Sequence, residues 1–143
     1  MNIIIRKAST GDVGDLTSLS AQLGYAISEE TTLKNLNAIL QNNHEALFVA
    51  SNENEVIGWI HVFATVRLES GPFCEIGGLV VHEQWQQKGI GKNLVLQAKQ
   101  WTIGKGYTIL KVRCKIKRKT AHQFYRQMGF TENKVQTVFE LRV

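Results

Sequence analysis

This chain of 143 residues predicts an α/β fold, one mixed sheet flanked by helices in the order βααβββαβαβ. Three observations predict it. Helical and strand-like apolar periods alternate from end to end. A short apolar run, Glu75 to Val81, leads through a polar loop to Gly89-Ile90-Gly91 at the start of a helix. One proline, no low-complexity run and no repeat leave no linker or array, so residues 1–143 read as a single domain with its own core.

Each element has its own signal. Ile3-Ile4-Ile5 begins a strand, and Thr10 or Asp12 can cap a helix with apolar positions Val13, Leu16, Leu19 and Leu23. Gly24-Tyr25 breaks it. Ser28 caps a second helix carrying Leu33, Leu36 and Leu40. Ala46 to Ala50 and Val56 to Val66 read as a hairpin around the polar turn Asn52-Glu53-Asn54-Glu55. A loop through Gly71-Pro72 enters the strand that ends at Val81. The helix after Gly91 puts Leu94, Ala98 and Trp101 on one face and stops at Gly104 and Gly106. Tyr107 to Cys114 is a strand. Thr120 and Gln123 have capping-box spacing for a short helix ending at Gly129, and Val135 to Val143 closes the chain as a strand.

Composition narrows the functional classes. The chain is 43% hydrophobic and 20% charged, as ordinary globular proteins are. No apolar span approaches the roughly 20 residues needed to cross a bilayer, and the N-terminus lacks a signal-peptide pattern. Cys74 and Cys114 have no metal-type spacing and read as free buried thiols in a reducing compartment. The expected location is therefore cytoplasmic, with no membrane partner and no metal. The net charge of +5 suits an anionic ligand.

The glycine loop points to such a ligand. A helix start presents unpaired N–H groups and the positive end of the helix dipole, and glycine lets an anion approach them. Lys88 and Lys92 add charge at the same place. A Walker loop is excluded, because Asn93 follows Gly91-Lys92 and position 86 is Gln. The dinucleotide fingerprint is excluded by Leu94, which stands where its third glycine belongs. What remains is Gln86-x-x-Gly89-x-Gly91 between a strand and a helix, a candidate phosphate or pyrophosphate cradle.

Together with Ala121-x-x-Phe124-Tyr125-x-x-x-Gly129-Phe130 and the order of elements, this motif resembles the GNAT superfamily of N-acetyltransferases. The resemblance covers essentially the whole chain, and motifs such as Glu75-Ile-Gly-Gly-Leu-Val-Val are similar to small bacterial members, some of aminoglycoside type. It implies acetyl-CoA as cosubstrate. Leu79 and Val81, with Val80 between them, would offer main-chain hydrogen bonds to the pantetheine arm. Gln86, Gln87, Lys88, Gly89, Ile90, Gly91 and Lys92 would hold the pyrophosphate. One departure is Lys115, which stands where relatives often carry an Asn that holds the cofactor arm. It could reach a phosphate instead, or belong to a solvated run from Lys115 to Lys119.

The implied chemistry is direct attack by a primary amine in a ternary complex. The amine must be neutral to attack, so a carboxylate within reach could take its proton. Glu75, at the start of the cofactor strand, is the candidate base; its alternative is to orient substrate or meet solvent. The N–H of Leu79 could receive the oxyanion. By family position Tyr125 is the proton donor to the departing thiolate, against a packing role beside Phe124 and Met128, although adjacent helix positions argue against a shared face. Tyr25, Phe63 and Glu69 lie on segments that shape the acceptor pocket in relatives. The acceptor is expected to be a small molecule, with a peptide amine open; few acids (Glu29, Glu30, Glu69, Glu75) could favour a polycation. A homodimer stays open. Two competing classes remain, a non-catalytic acyl-CoA-binding module and a nucleic-acid-binding domain using Lys115 to Lys119, the latter without a recognisable binding motif.

Overall fold

Five strands pair in sequence order: β1 (Ile4–Lys7), β2 (Glu45–Ser51), β3 (Val56–Arg67), β4 (Gly71–Val81) and β5 (Leu110–Val112). Pairing is antiparallel except between β4 and β5, which run parallel. The helices are α1 (Val13–Gln22), α2 (Glu29–Leu40), α3 (Ile90–Gly104) and α4 (Lys119–Gln127). The computed structural model describes residues 2–115 and 117–143 and comprises two compact units, Met1–Val112 and Arg113–Val143.

In the first unit the strands alternate between two faces. Leu47, Val49 and Val80 join Leu16 and Leu19 of α1 and Leu36 of α2 in one apolar cluster, against which Trp59 packs. The other face meets α3, whose Ile90, Leu94, Val95, Ala98 and Thr102 are buried. There Gly58 is required by close approach: a Cβ would sit 3.3 Å from a Leu94 methyl and 3.0 Å from the Val80 carbonyl oxygen. Of the apolar positions expected on the packed face of α2, Leu36 is buried, whereas Leu33 and Leu40 are exposed at 39% and 42% and Thr32 is buried beside Leu36.

Local chemistry explains most boundaries. Ser28 Oγ accepts the Thr31 N–H at 3.1 Å and starts α2. Asn52 Oδ1 accepts the N–H groups of Asn54 and Glu55, closing the β2–β3 turn. The carboxylate of Asp12 reaches back to the Ser9 N–H at 2.8 Å and meets both terminal nitrogens of Arg6 at 2.9 Å. That Arg6 fork, aided by the Ser9 N–H, holds the Asp12 carboxyl below its ordinary range against the opposing effect of burial.

In the second unit α4 begins at Lys119 with Arg118 as N-cap and no side-chain cap, so the Thr120–Gln123 capping box does not form. Gly129, at φ +98, ends the helix. The expected strand Tyr107 to Cys114 shortens to β5, Leu110–Val112. The closing strand expected over Val135 to Val143 is not formed among the described residues. Its alternating pattern is real, but a strand exists only against a partner, and Val138, Phe139 and Leu141 are 84–90% exposed.

Candidate active site

β4 is where the sheet opens. It pairs with β5 only over Cys74, Glu75 and Ile76, so among the described residues the edge from Gly77 to Val81 carries no strand on that side. On its other side β4 follows β3, with one irregularity: His61 faces Gly78 and Val62 faces Ile76, leaving Gly77 as an extra, bulged residue. Gly77 is exposed although Phe73 to Ile76 before it are buried. A Cβ there would lie 2.8 Å from His61 Nδ1 and 3.4 Å from the Phe63 ring, and one on Gly78 would lie 2.8 Å from the Trp59 ring. The glycine pair therefore lets His61 and Trp59 pack directly on the β4 backbone, closer than any side chain there would allow.

The free edge of β4 runs into the glycine loop. A 3-10 turn, Glu83–Trp85, is fixed by His82, whose Nδ1 accepts the Gln84 N–H at 3.1 Å. The side-chain amide of Gln86 donates to the Val81 carbonyl at 3.2 Å. Gln87 and Gly89 have positive φ, at 60 and 83, and Gly89 is the N-cap of α3. The helix thus starts one residue earlier than expected, at Ile90. Its first recorded internal bond at this end runs from the Asn93 N–H to the Gly89 carbonyl. The N–H groups of Ile90, Gly91 and Lys92 are left with no partner among the described residues, with no side-chain cap and no acid in the first turn. Lys88 and Lys92 are exposed beside them. This environment fits a bound pyrophosphate.

The expected acceptor-side residues are partly brought together. Glu75 is buried and lies opposite Phe63 on β3 and Lys111 on β5. Lys111 Nζ sits 3.9 Å from the centroid of the Phe73 ring. Tyr25 lies in the exposed connection between α1 and α2, and Glu69 in the exposed turn between β3 and β4. Sequence reasoning missed His61 and Glu45. His61 Nε2 and Glu45 Oε1 are 2.7 Å apart, and Asn42 Nδ2 donates to the other carboxylate oxygen at 2.8 Å. The mid-strand Gly77-Gly78 pair was the available signal, because paired glycines inside a strand mark a bulge or a close approach.

In the second unit Tyr125 is half-buried, in edge contact with Phe124 (ring centroids 5.1 Å apart) and Phe130 (5.5 Å). The expected separation of the Phe124 and Tyr125 rings is thus not met; adjacent rings meet edge to face. Burial, reinforced by Cys114 and opposed by Arg118, pushes the Tyr125 phenol up to about 12. Lys115, Lys117, Arg118 and Lys119 are exposed, and Ile116 lies outside the described residues. The Lys115 carbonyl is 2.8 Å from His122 Nε2. Cys74 is buried and Cys114 half-buried, both free thiols, and burial raises the Cys74 thiol against the opposing pull of Thr102. No helix among the described residues is long and apolar enough to cross a membrane.

Residues 15–130 match the model of the acetyltransferase (GNAT) family. An aminoglycoside N(6')-acetyltransferase type 1 of Stenotrophomonas maltophilia is 29% identical over 96% of this chain and 92% of its own length. An uncharacterized N-acetyltransferase of Bacillus subtilis, YhdJ, is 28% identical over 79% of this chain and 80% of its own. The structure of the aminoglycoside acetyltransferase AAC(6')-Iy, solved with a bisubstrate analog of CoA and acetylneamine, superposes with a TM-score of 0.89 over all of both chains at 20% identity. The chain belongs to the GNAT acetyltransferase family. It is an acetyl-CoA-dependent acyltransferase.

Proposed function

We propose that this protein transfers the acetyl group of acetyl-CoA to a primary amine of a small molecule, by direct attack within a ternary complex. The observation that carries this reading is the continuity of the free β4 edge, Gly77 to Val81, with the uncapped N-terminus of α3. A thioester on a long polar arm needs both: main-chain partners along the arm, for which Leu79 and Val81 serve, and donors for two phosphates. Those donors are the N–H groups from Gly89 to Lys92 with the exposed loop Gln86-Gln87-Lys88.

The acetyl carbonyl becomes an oxyanion as the amine adds, and the Leu79 N–H is its donor. Glu75 is the carboxylate assigned to the amine, as the group that takes its proton. Tyr125 is assigned to the departing sulfur by its motif position alone. A phenol held at about 12 is a weak acid toward a thiolate whose ordinary value is near ~8.5, so it stabilises that charge by a hydrogen bond rather than by surrendering its proton. Phe63 contributes an apolar wall beside the reacting amine.

Relatives named for aminoglycosides favour an amino-sugar or other polyamine acceptor over a protein terminus. A thiol-release assay with acetyl-CoA and a panel of amines tests the reading. Turnover is expected with small polyamines and amino sugars. No release with any amine, from folded protein that binds CoA, would leave only a binding module.

A further inference from the structure

We propose that this chain completes its sheet in a two-fold dimer, in which the C-terminal segment Val135–Val143 of each copy pairs with the free edge of β5 in the other. The segment has the pattern of a strand with one apolar face. In an extended chain Val135, Thr137, Phe139, Leu141 and Val143 share a face, and Gln136, Glu140 and Arg142 fall on the opposite one with Val138. Among the described residues none of the nine belongs to a strand. Val138, Phe139, Leu141 and Val143 are each 84% exposed or more. A lone exposed apolar side chain is ordinary, but an aromatic and three aliphatics within six residues form a surface that marks an interaction site.

The same chain leaves a matching edge open. β5 is the last strand of the sheet and pairs on one side only, with β4. It keeps three residues, Leu110–Val112, of the strand pattern that runs from Tyr107 to Cys114, and Ile109 beside it is 45% exposed. An unpaired edge is a template for another strand. Each chain therefore carries one unfilled edge and one unpaired strand. A foreign strand on the edge would still leave Val135–Val143 uncovered. A second copy supplies both elements in equal number, and a two-fold exchange satisfies each of them twice and then closes.

The side chains match across this pairing. Leu110 and Val112 lie beside Cys74 and Ile76 of β4, which are buried, so they line the covered face of the sheet. An antiparallel partner with Leu141 opposite Leu110 sets Phe139 opposite Val112 on that same face. The alternate positions then set Glu140 opposite Lys111, Arg142 opposite Ile109 and Val138 opposite Arg113. Opposite charges meet once and like charges never do, which favours the register. A slip of one residue would turn Phe139 and Leu141 to the other face.

The test uses the full chain. Gel filtration with light scattering at micromolar concentration should give twice the chain mass. Phe139→Asp combined with Leu141→Asp alters two side chains that a single chain exposes, so this variant should be a monomer with its circular dichroism retained. A cross-link reads where the segment goes. Leu110→Cys and Leu141→Cys are placed in separate chains, each also carrying Cys114→Ser, then unfolded, refolded together and oxidised. A disulfide-linked pair of chains should form from the mixture and from neither variant alone. If the Asp variant does not fold, this cross-link decides. A wild type that is monomeric at every concentration overturns the proposal, as does a dimer that survives both Asp substitutions. So does a protein carrying both cysteines in one chain that forms the disulfide internally and runs as a monomer, because the segment would then pair with its own β5.

Discussion

Replacing Gly91 with Val attacks the phosphate cradle where its geometry is best defined. Gly91 is the second residue of α3, between Ile90 and Lys92, and all three present N–H groups that the helix does not use. A branched side chain at this position stands in front of those donors and keeps a pyrophosphate oxygen from closing to hydrogen-bond distance. A hydrogen bond to a charged group is worth about 1.5–3 kcal/mol, so loss of one bond weakens CoA binding about 10- to 100-fold. Valine is no poorer a helix former than glycine, and the position is at the helix edge, so the melting temperature should hold. Titration calorimetry with CoA, alongside circular dichroism of the same sample, reads both. Unchanged CoA affinity in a folded Gly91→Val protein refutes the cradle.

Tyr125→Phe keeps the ring contacts with Phe124 and Phe130 and removes only the hydroxyl; turnover should fall about tenfold with CoA affinity unchanged, and wild-type turnover in a chemistry-limited assay would make Tyr125 a packing residue. The same variant has a stability signature. The native phenol titrates at about 12 against an unfolded value near 10, so its contribution is complete below about pH 10 and erodes as pH rises toward 12. Tyr125→Phe should therefore show a flatter melting profile from pH 10 to 12, and an identical profile would contradict the burial of the hydroxyl. Asp12→Asn removes the charge held by Arg6 and should cost about 1–2 kcal/mol at neutral pH by denaturant titration. Because the native Asp12 carboxyl is depressed, that contribution is present above the ordinary carboxylate range and lost as pH falls through the native value; the variant should match wild type in strong acid.

What could be read from the chain divides by the range of the interaction involved. Ser28, Asn52, Gly129 and the period of α1 act on their immediate neighbours, and the structure places them as their local chemistry demands. The cradle was legible for the same reason, since Gln86 to Lys92 is one contiguous loop. The packing at the bulge was not. It joins Glu45, His61 and Gly77 from three strands through a one-residue slip in register, and a slip of that kind leaves no trace in periodicity. The closing strand failed for the opposite reason: Val135 to Val143 has the right alternation, but pattern alone does not supply the neighbouring edge. Thr120 has capping chemistry, yet Arg118 takes the N-cap, one residue before α4 begins.

Direct transfer in a ternary complex requires that acetyl-CoA be stable on the enzyme until an amine arrives. Rapid mixing of enzyme and acetyl-CoA, followed by thiol detection and mass spectrometry of protein and small molecules, reads this in one experiment. No thiol should appear before the amine is added. Afterwards thiol and acetylated amine should form in equal amounts, with the protein mass unchanged. A burst of thiol without amine, accompanied by an acetylated protein, would contradict direct transfer.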